Sequence, residues 1–203
     1  GKYRIPISKP DMRLLRKGQP LWSILGEHGV FSAVIRMPIT FPPERFRGVA
    51  LSAMCIPDLR GTQGTFSFYT TRSEADSIYT GGEQVRVKRE GRFIRAHLVG
   101  PANSLRCDHA PMTAPFTVRF SEGKKGSVAE LELCGERHRL EQGEYTPWIR
   151  FHFKAAPWAK VHGICQFLLL ATEPEFELYV TPLQIDPEKP ALPISHPRVF
   201  STY

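Results

Sequence analysis

The densest grouping of chemically capable side chains is Asp58-Leu59-Arg60-Gly61-Thr62-Gln63-Gly64-Thr65, which follows an apolar run. A carboxylate, a guanidinium, hydroxyls and an amide set around two glycines could offer backbone N–H groups and a fork of donors to a phosphate. The glycine spacing is not that of a P-loop, and no Lys-Ser/Thr pair follows it. Asp58, Arg60, Thr62 and Gln63 are therefore the candidate substrate-binding residues. The competing reading is a Gly-rich connection in which Asp58 and Arg60 pair with one another.

Other constellations carry less. Cys107-Asp108-His109 with Cys134 and His138 contains metal-binding residue types, but neither pair has zinc-finger spacing, and Cys107 and His109 are too close in sequence to share one ion easily. No metal ligand is assigned. There is no Gly-Xaa-Ser-Xaa-Gly elbow and no Cys-His protease signature, so none of the seven histidines is given a catalytic role. His97, His138 and His152 sit in alternating stretches as outward-facing residues, and His28 falls at a helix end where it complements the dipole.

Composition bounds the rest. The 203 residues suffice for one substantial core or two small ones, and 41% hydrophobic with 23% charged residues is ordinary for a globular protein. No apolar run approaches the ~18 residues of a membrane span. Gly1-Lys2-Tyr3-Arg4 leads into no apolar stretch, so no signal peptide is expected. Lysine and arginine number 27 against 20 acids, a net charge of +7, yet the cations are dispersed and nucleic acid is not the expected partner. Cys55, Cys107, Cys134 and Cys165 are widely spaced and read by default as free, mostly buried thiols, which favours a reducing, cytoplasmic compartment, although four cysteines also permit two disulfides. Trp22, Trp148 and Trp158, with thirteen phenylalanines, read as core.

The elements fall into two characters. Residues 1–19 are basic and aperiodic, an extended arm or linker. Pro20 then opens a short helix through His28, with Leu21, Ile24 and Leu25 on one face and Gly29 as its stop. Phe31–Met37 and Val49–Cys55 read as apolar strands, separated by a loop at Thr40-Phe41-Pro42-Pro43. From about residue 65 the period becomes two: Phe116, Val118 and Phe120; Ala129, Leu131 and Leu133; Ile149, Phe151 and Phe153; Phe176, Leu178 and Val180. Turn signals at Gly81-Gly82, Glu90-Gly91, Gly123–Gly126 and Cys134-Gly135 separate them. The expected fold is α+β: an antiparallel β-sandwich or barrel over about 65–185 attached to a short α/β fragment over about 20–60. The expected domains are 1–19, 20–64, 65–186 and a Pro-rich connector at 187–203.

Three stretches resemble one family. They are Pro20-Leu21-Trp22-Ser23-Ile24-Leu25-Gly26-Glu27-His28-Gly29 with Val34-Ile35-Arg36-Met37-Pro38-Ile39-Thr40-Phe41-Pro42-Pro43; Ile56–Phe66; and Val180–Pro187. Together they are similar to the type I phosphodiesterase/nucleotide pyrophosphatase branch of the alkaline phosphatase superfamily. There a Trp-bearing helix, a Gly turn, a strand and a Pro-Xaa-Thr-Xaa-Pro-Pro loop follow in this order. The resemblance implies an α/β core with residues 65–186 inserted into it. It implies phosphoric-ester hydrolysis by two divalent metals, zinc in most members, with a Thr or Ser nucleophile.

The family's early Asp and nucleophile precede the matched region and its remaining Asp and His ligands follow it. No catalytic residue carries over, and no cofactor is expected within this chain. The expected function is a non-catalytic portion of such a hydrolase, its β-rich region bordering the parent active site. The alternative is a metal-free β-sandwich binding or assembly module. The expected partner is the rest of the parent protein, or a second copy meeting residues 20–55.

Overall fold

Alternation along Phe116–Phe120 and its neighbours is written directly into the backbone of the computed structural model, which describes residues 3–5, 16–54, 56–72, 81–123 and 126–202. Strand accounts for 48% of the described residues and helix for 7%, so β structure dominates as expected. Contacts divide the chain into two units. One is Gly1–Ile5 with Asp58–Gln184; the other is Pro6–Pro57 with Ile185–Tyr203. Most of the arm expected over residues 1–19, and Cys55, lie outside the described residues.

The second unit opens with helix α1 (Leu21–Glu27), preceded by Pro20 in extended conformation. Gly29 ends it at φ 78, its N–H bonded to Gly26 O and that of Val30 to Leu25 O, the paired closure that a left-handed glycine permits. His28 Nδ1 lies 2.9 Å from Ile24 O, a further partner for the helix end. Strands β1 (Ser32–Ile35) and β2 (Gly48–Leu51) pair in parallel, Ser32 facing Gly48.

The apolar helix face stands largely in water: Leu21 is 66% exposed and Ile24 40%. On and around β1, Phe31 (65%) and Ile35 (56%) are also in water. The Pro-rich tail is more than the expected connector. Its Ser195–His196 segment (strand β15 below) is an edge strand antiparallel to β2, and Arg198–Thr202 forms a 3-10 helix. Two residues at a sheet edge carry no readable periodicity, and an edge tolerates nearby prolines.

The first unit holds β3 (Phe66–Thr70), β4 (Gly82–Arg86), β5 (Arg89–Glu90), β6 (Phe93–Ala102), β7 (Pro111–Gly123), β8 (Gly126–Leu133), β9 (Glu136–Leu140), β10 (Ile149–Ala156), β11 (Ala159–Cys165), β12 (Phe167–Ala171) and β13 (Glu177–Val180). β14 (Gln184–Ile185) stands where the chain passes to the second unit, and β15 completes the count. The sheets run in the orders β5-β6-β7-β8-β9, β12-β13-β3-β4 and β10-β11-β14, and among the described residues none closes into a barrel. Within the first two of these sheets, and between β10 and β11, pairing is antiparallel except between β3 and β4, which run parallel with Phe66 opposite Gly82. A Cβ on Gly82 would stand 2.1 Å from the Phe66 ring, so any larger residue there forces that ring to move.

One apolar core collects Ile94, Leu98, Phe116, Val118, Leu131, Phe151, Phe153, Phe167, Phe176 and Leu178 from these strands. Edge-to-face rings link two of the sheets, Tyr69 to Phe116 at 5.1 Å, Phe116 to Phe167 at 5.7 Å and Phe120 to Phe176 at 5.8 Å. Of the tryptophans expected in the core, Trp148 and Trp158 are exposed. Both sit beside strand ends, where the alternating pattern that drives residues inward has stopped. Among the described residues no helix is long and apolar enough to cross a membrane.

Candidate functional site

The Asp58–Thr65 loop is organised around its own carboxylate. Asp58 is buried, and its Oδ1 accepts the N–H of Arg60 and of Thr62, each at 2.9 Å. Its Oδ2 accepts the Thr62 hydroxyl at 2.5 Å and the Thr65 N–H at 3.1 Å. The loop's backbone donors thus cradle an anion that the chain itself supplies.

The Arg60 side chain does not pair with Asp58. Its Nη2 bonds Glu83 Oε2 at 2.5 Å, and its Nη1 is buried with no hydrogen-bond partner among the described residues. Gln63 is exposed and outside this hydrogen-bonded set. The structure therefore brings Asp58, Arg60 and Thr62 together, and leaves Gln63 apart.

The cysteine- and histidine-bearing loop is also locally satisfied. Arg106 clamps Asp108 through both carboxylate oxygens, Nε to Oδ1 at 2.8 Å, and Asp108 Oδ1 also accepts the Ala110 N–H. These bonds, the Arg106 guanidinium foremost, hold the Asp108 carboxyl well below the usual range. His109 Nε2 accepts from Arg4 at 3.2 Å. Among the described residues no three His, Cys, Asp or Glu side chains converge as metal ligands would. The donors present do not fit a two-metal centre, so no hydrolytic step is derived through them. Cys165 is buried as expected and burial pushes its thiol pKa up, whereas Cys107 and Cys134 are exposed. Cys134 is drawn out of the apolar pattern by its place in the β8–β9 turn, where it and Gly135 both take positive φ, 53 and 87.

A second candidate site lies outside the stretch singled out from the sequence for substrate binding. A cleft of about 400 Å³ is lined by Thr113, Thr117, Glu132, Cys134, His152 and Lys154. β10 and β11 form a hairpin in which Phe151 and Phe153 turn into the core. The opposite face therefore carries Arg150, His152 and Lys154 on β10, with His162 and Lys160 directly across from the last two.

The two imidazole rings are 5.8 Å apart. Partial burial first, then the charges of Lys160, His162 and Lys154, lower the His152 pKa from its ordinary value. Cys134 Sγ lies 3.8 Å from the His152 carbonyl oxygen. The acid at the cleft, Glu132, has its own cation in register, Arg137 at 3.7 Å.

The signal for this face was present as Arg150-Xaa-His152-Xaa-Lys154 and Lys160-Xaa-His162, but only the hairpin register puts the two sets side by side. In comparisons with known proteins the chain matches no family model, no curated protein and no solved structure.

Proposed function

We propose that this chain is the non-catalytic middle portion of a metal-dependent phosphodiesterase- or phosphatase-like hydrolase. The observation that carries the reading is the parallel pair β1–β2, beside which Leu21, Phe31 and Ile35 stand in water. Parallel strands occur with both faces covered, and clustered exposed apolar side chains mark a surface that another element covers. The unit containing them is drawn from both sides of the β-rich unit, the arrangement of an α/β core interrupted by an insertion.

In this reading the β-rich unit is a sandwich bordering the parent active site, and the ring pairs that join its sheets support that packing. Asp58, Arg60, Thr62 and Gln63 are its candidate pocket residues, with Arg60 Nη1 the group that has a donor to spare. The metals, zinc by the resemblance, would take their ligands from polypeptide beyond these residues.

The purified chain with zinc should leave bis(p-nitrophenyl) phosphate intact and self-associate in light scattering. The chain extended by the sequence encoded on either side should be monodisperse, bind divalent metal and turn the ester over. Metal-dependent turnover by the present chain, or an extended chain without metal affinity, overturns the reading. A reading frame ending at these boundaries would favour the metal-free binding module, for which the β10–β11 cleft is the specific observation.

A further inference from the structure

We infer that the outer face of the β10–β11 hairpin and the cleft beside it form a binding site for a small phosphorylated molecule carrying at least two negative charges. The case starts from a local cost. Lys154 and Lys160 are directly opposed, as are His152 and His162, and like charges facing one another across a ladder destabilise it. Neither lysine forms an ion pair with a described residue. Uncharged polar replacements would serve the fold equally well, because both side chains are exposed while the hairpin is held by Phe151 and Phe153 on its other face.

Charge and shape narrow the ligand. His152 and Lys154 line the cleft, and Lys160 and His162 stand beside them on the same face. The cleft's volume of about 400 Å³ lies within the ~300–1,000 Å³ of small-molecule sites, and its concavity favours a compact ligand over an extended polyanion. Lysine and imidazolium are point donors suited to phosphate oxygens, and the Thr113 and Thr117 hydroxyls on the β7 wall add neutral donors.

The charged and titratable groups facing His152 are Lys154 and Arg150 on its own strand, Lys160 and His162 on β11, and Glu132 and Cys134 across the cleft. Arg150 has an interaction of its own, and Glu132 is offset by Arg137. The surrounding field is cationic, so a bound anion favours the protonated imidazole and acidification tightens binding.

Calorimetric titration of the full chain with pyrophosphate and with ATP tests this, with citrate and heparin as comparison anions. Pyrophosphate and ATP should saturate one site. The exposed double variant Lys154→Gln/Lys160→Gln should bind at least about tenfold more weakly with an unchanged circular-dichroism spectrum. Affinity should rise as pH is lowered toward and below about 6.5, and His152→Gln should flatten that rise.

No saturable binding of either phosphate overturns the inference, as does unchanged affinity in the lysine variant. Citrate binding equally tightly, or heparin binding alone, overturns the assignment to a phosphorylated small molecule. None of these readouts depends on ester hydrolysis, so the site can stand or fall apart from the hydrolase reading.

Discussion

Lys154 and Lys160 face each other across the β10–β11 ladder, two exposed ammonium groups in one cross-strand pair. Replacing one of them with an acid converts repulsion to attraction. Lys160→Glu should therefore stabilise the chain by about 0.2–1 kcal/mol at low salt, less as salt screens the pair. Urea unfolding of the variant at two ionic strengths checks both the sign and the salt dependence. A gain in stability with a loss of pyrophosphate affinity would be the pattern of residues kept for a ligand.

Asp58 is the keystone of its loop because one carboxylate satisfies three backbone N–H groups and a hydroxyl. Asp58→Ala strands those donors, at a cost of about 2–4 kcal/mol. Asp58→Asn keeps acceptor capacity on one side only and should fall between the two. Denaturant midpoints of the three proteins should rank in that order; equal midpoints would mean that the loop is held from elsewhere.

The pH dependence of stability follows from His152, whose pKa is lowered in the fold by burial first and then by neighbouring cations. The unfolded chain takes up a proton at that position as pH drops below about 6.5, while the folded chain resists until its lower value is reached. Stability contributed by neutral His152 is therefore complete above about 6.5 and is lost across the interval below it. His152→Gln should flatten the thermal midpoint over that interval. Bound pyrophosphate should do the same by raising the folded value.

Thiol chemistry separates Cys134 from Cys165. The first is exposed in a turn, and the second is buried with its thiolate disfavoured by desolvation. Iodoacetamide followed by peptide mass spectrometry should mark Cys134 in the native chain and Cys165 only after denaturation.

Much of the β-rich unit was legible in advance. Val118, Leu131, Phe153 and Leu178 alternate with polar neighbours, and each is buried while the neighbours Arg119, Glu132 and Lys154 are not. Cys134-Gly135 announced a tight turn and forms one. The Asp58 loop was legible as a dense polar patch, but not the direction of its hydrogen bonds, because a list of donors and acceptors does not say which ones meet. The apolar face of α1 was legible as a face, but periodicity shows only which side chains point together and not whether anything covers them. Trp148 and Trp158 were misplaced for the related reason that size alone does not draw a residue inward.

What the amino-acid order determined alone is local: a two-residue repeat turns Phe151 and Phe153 to one side and His152 and Lys154 to the other, whatever else the chain does. Which strand lies alongside, and in what register, depends on how distant apolar faces fill a common core. That packing sets His152 against His162 and Lys154 against Lys160, and it runs β3 parallel to β4. It also leads the chain's tail back to β2. The repeat is a property of neighbouring bonds, whereas the cationic face and its cleft exist only once residues ten and twenty positions apart have been brought together.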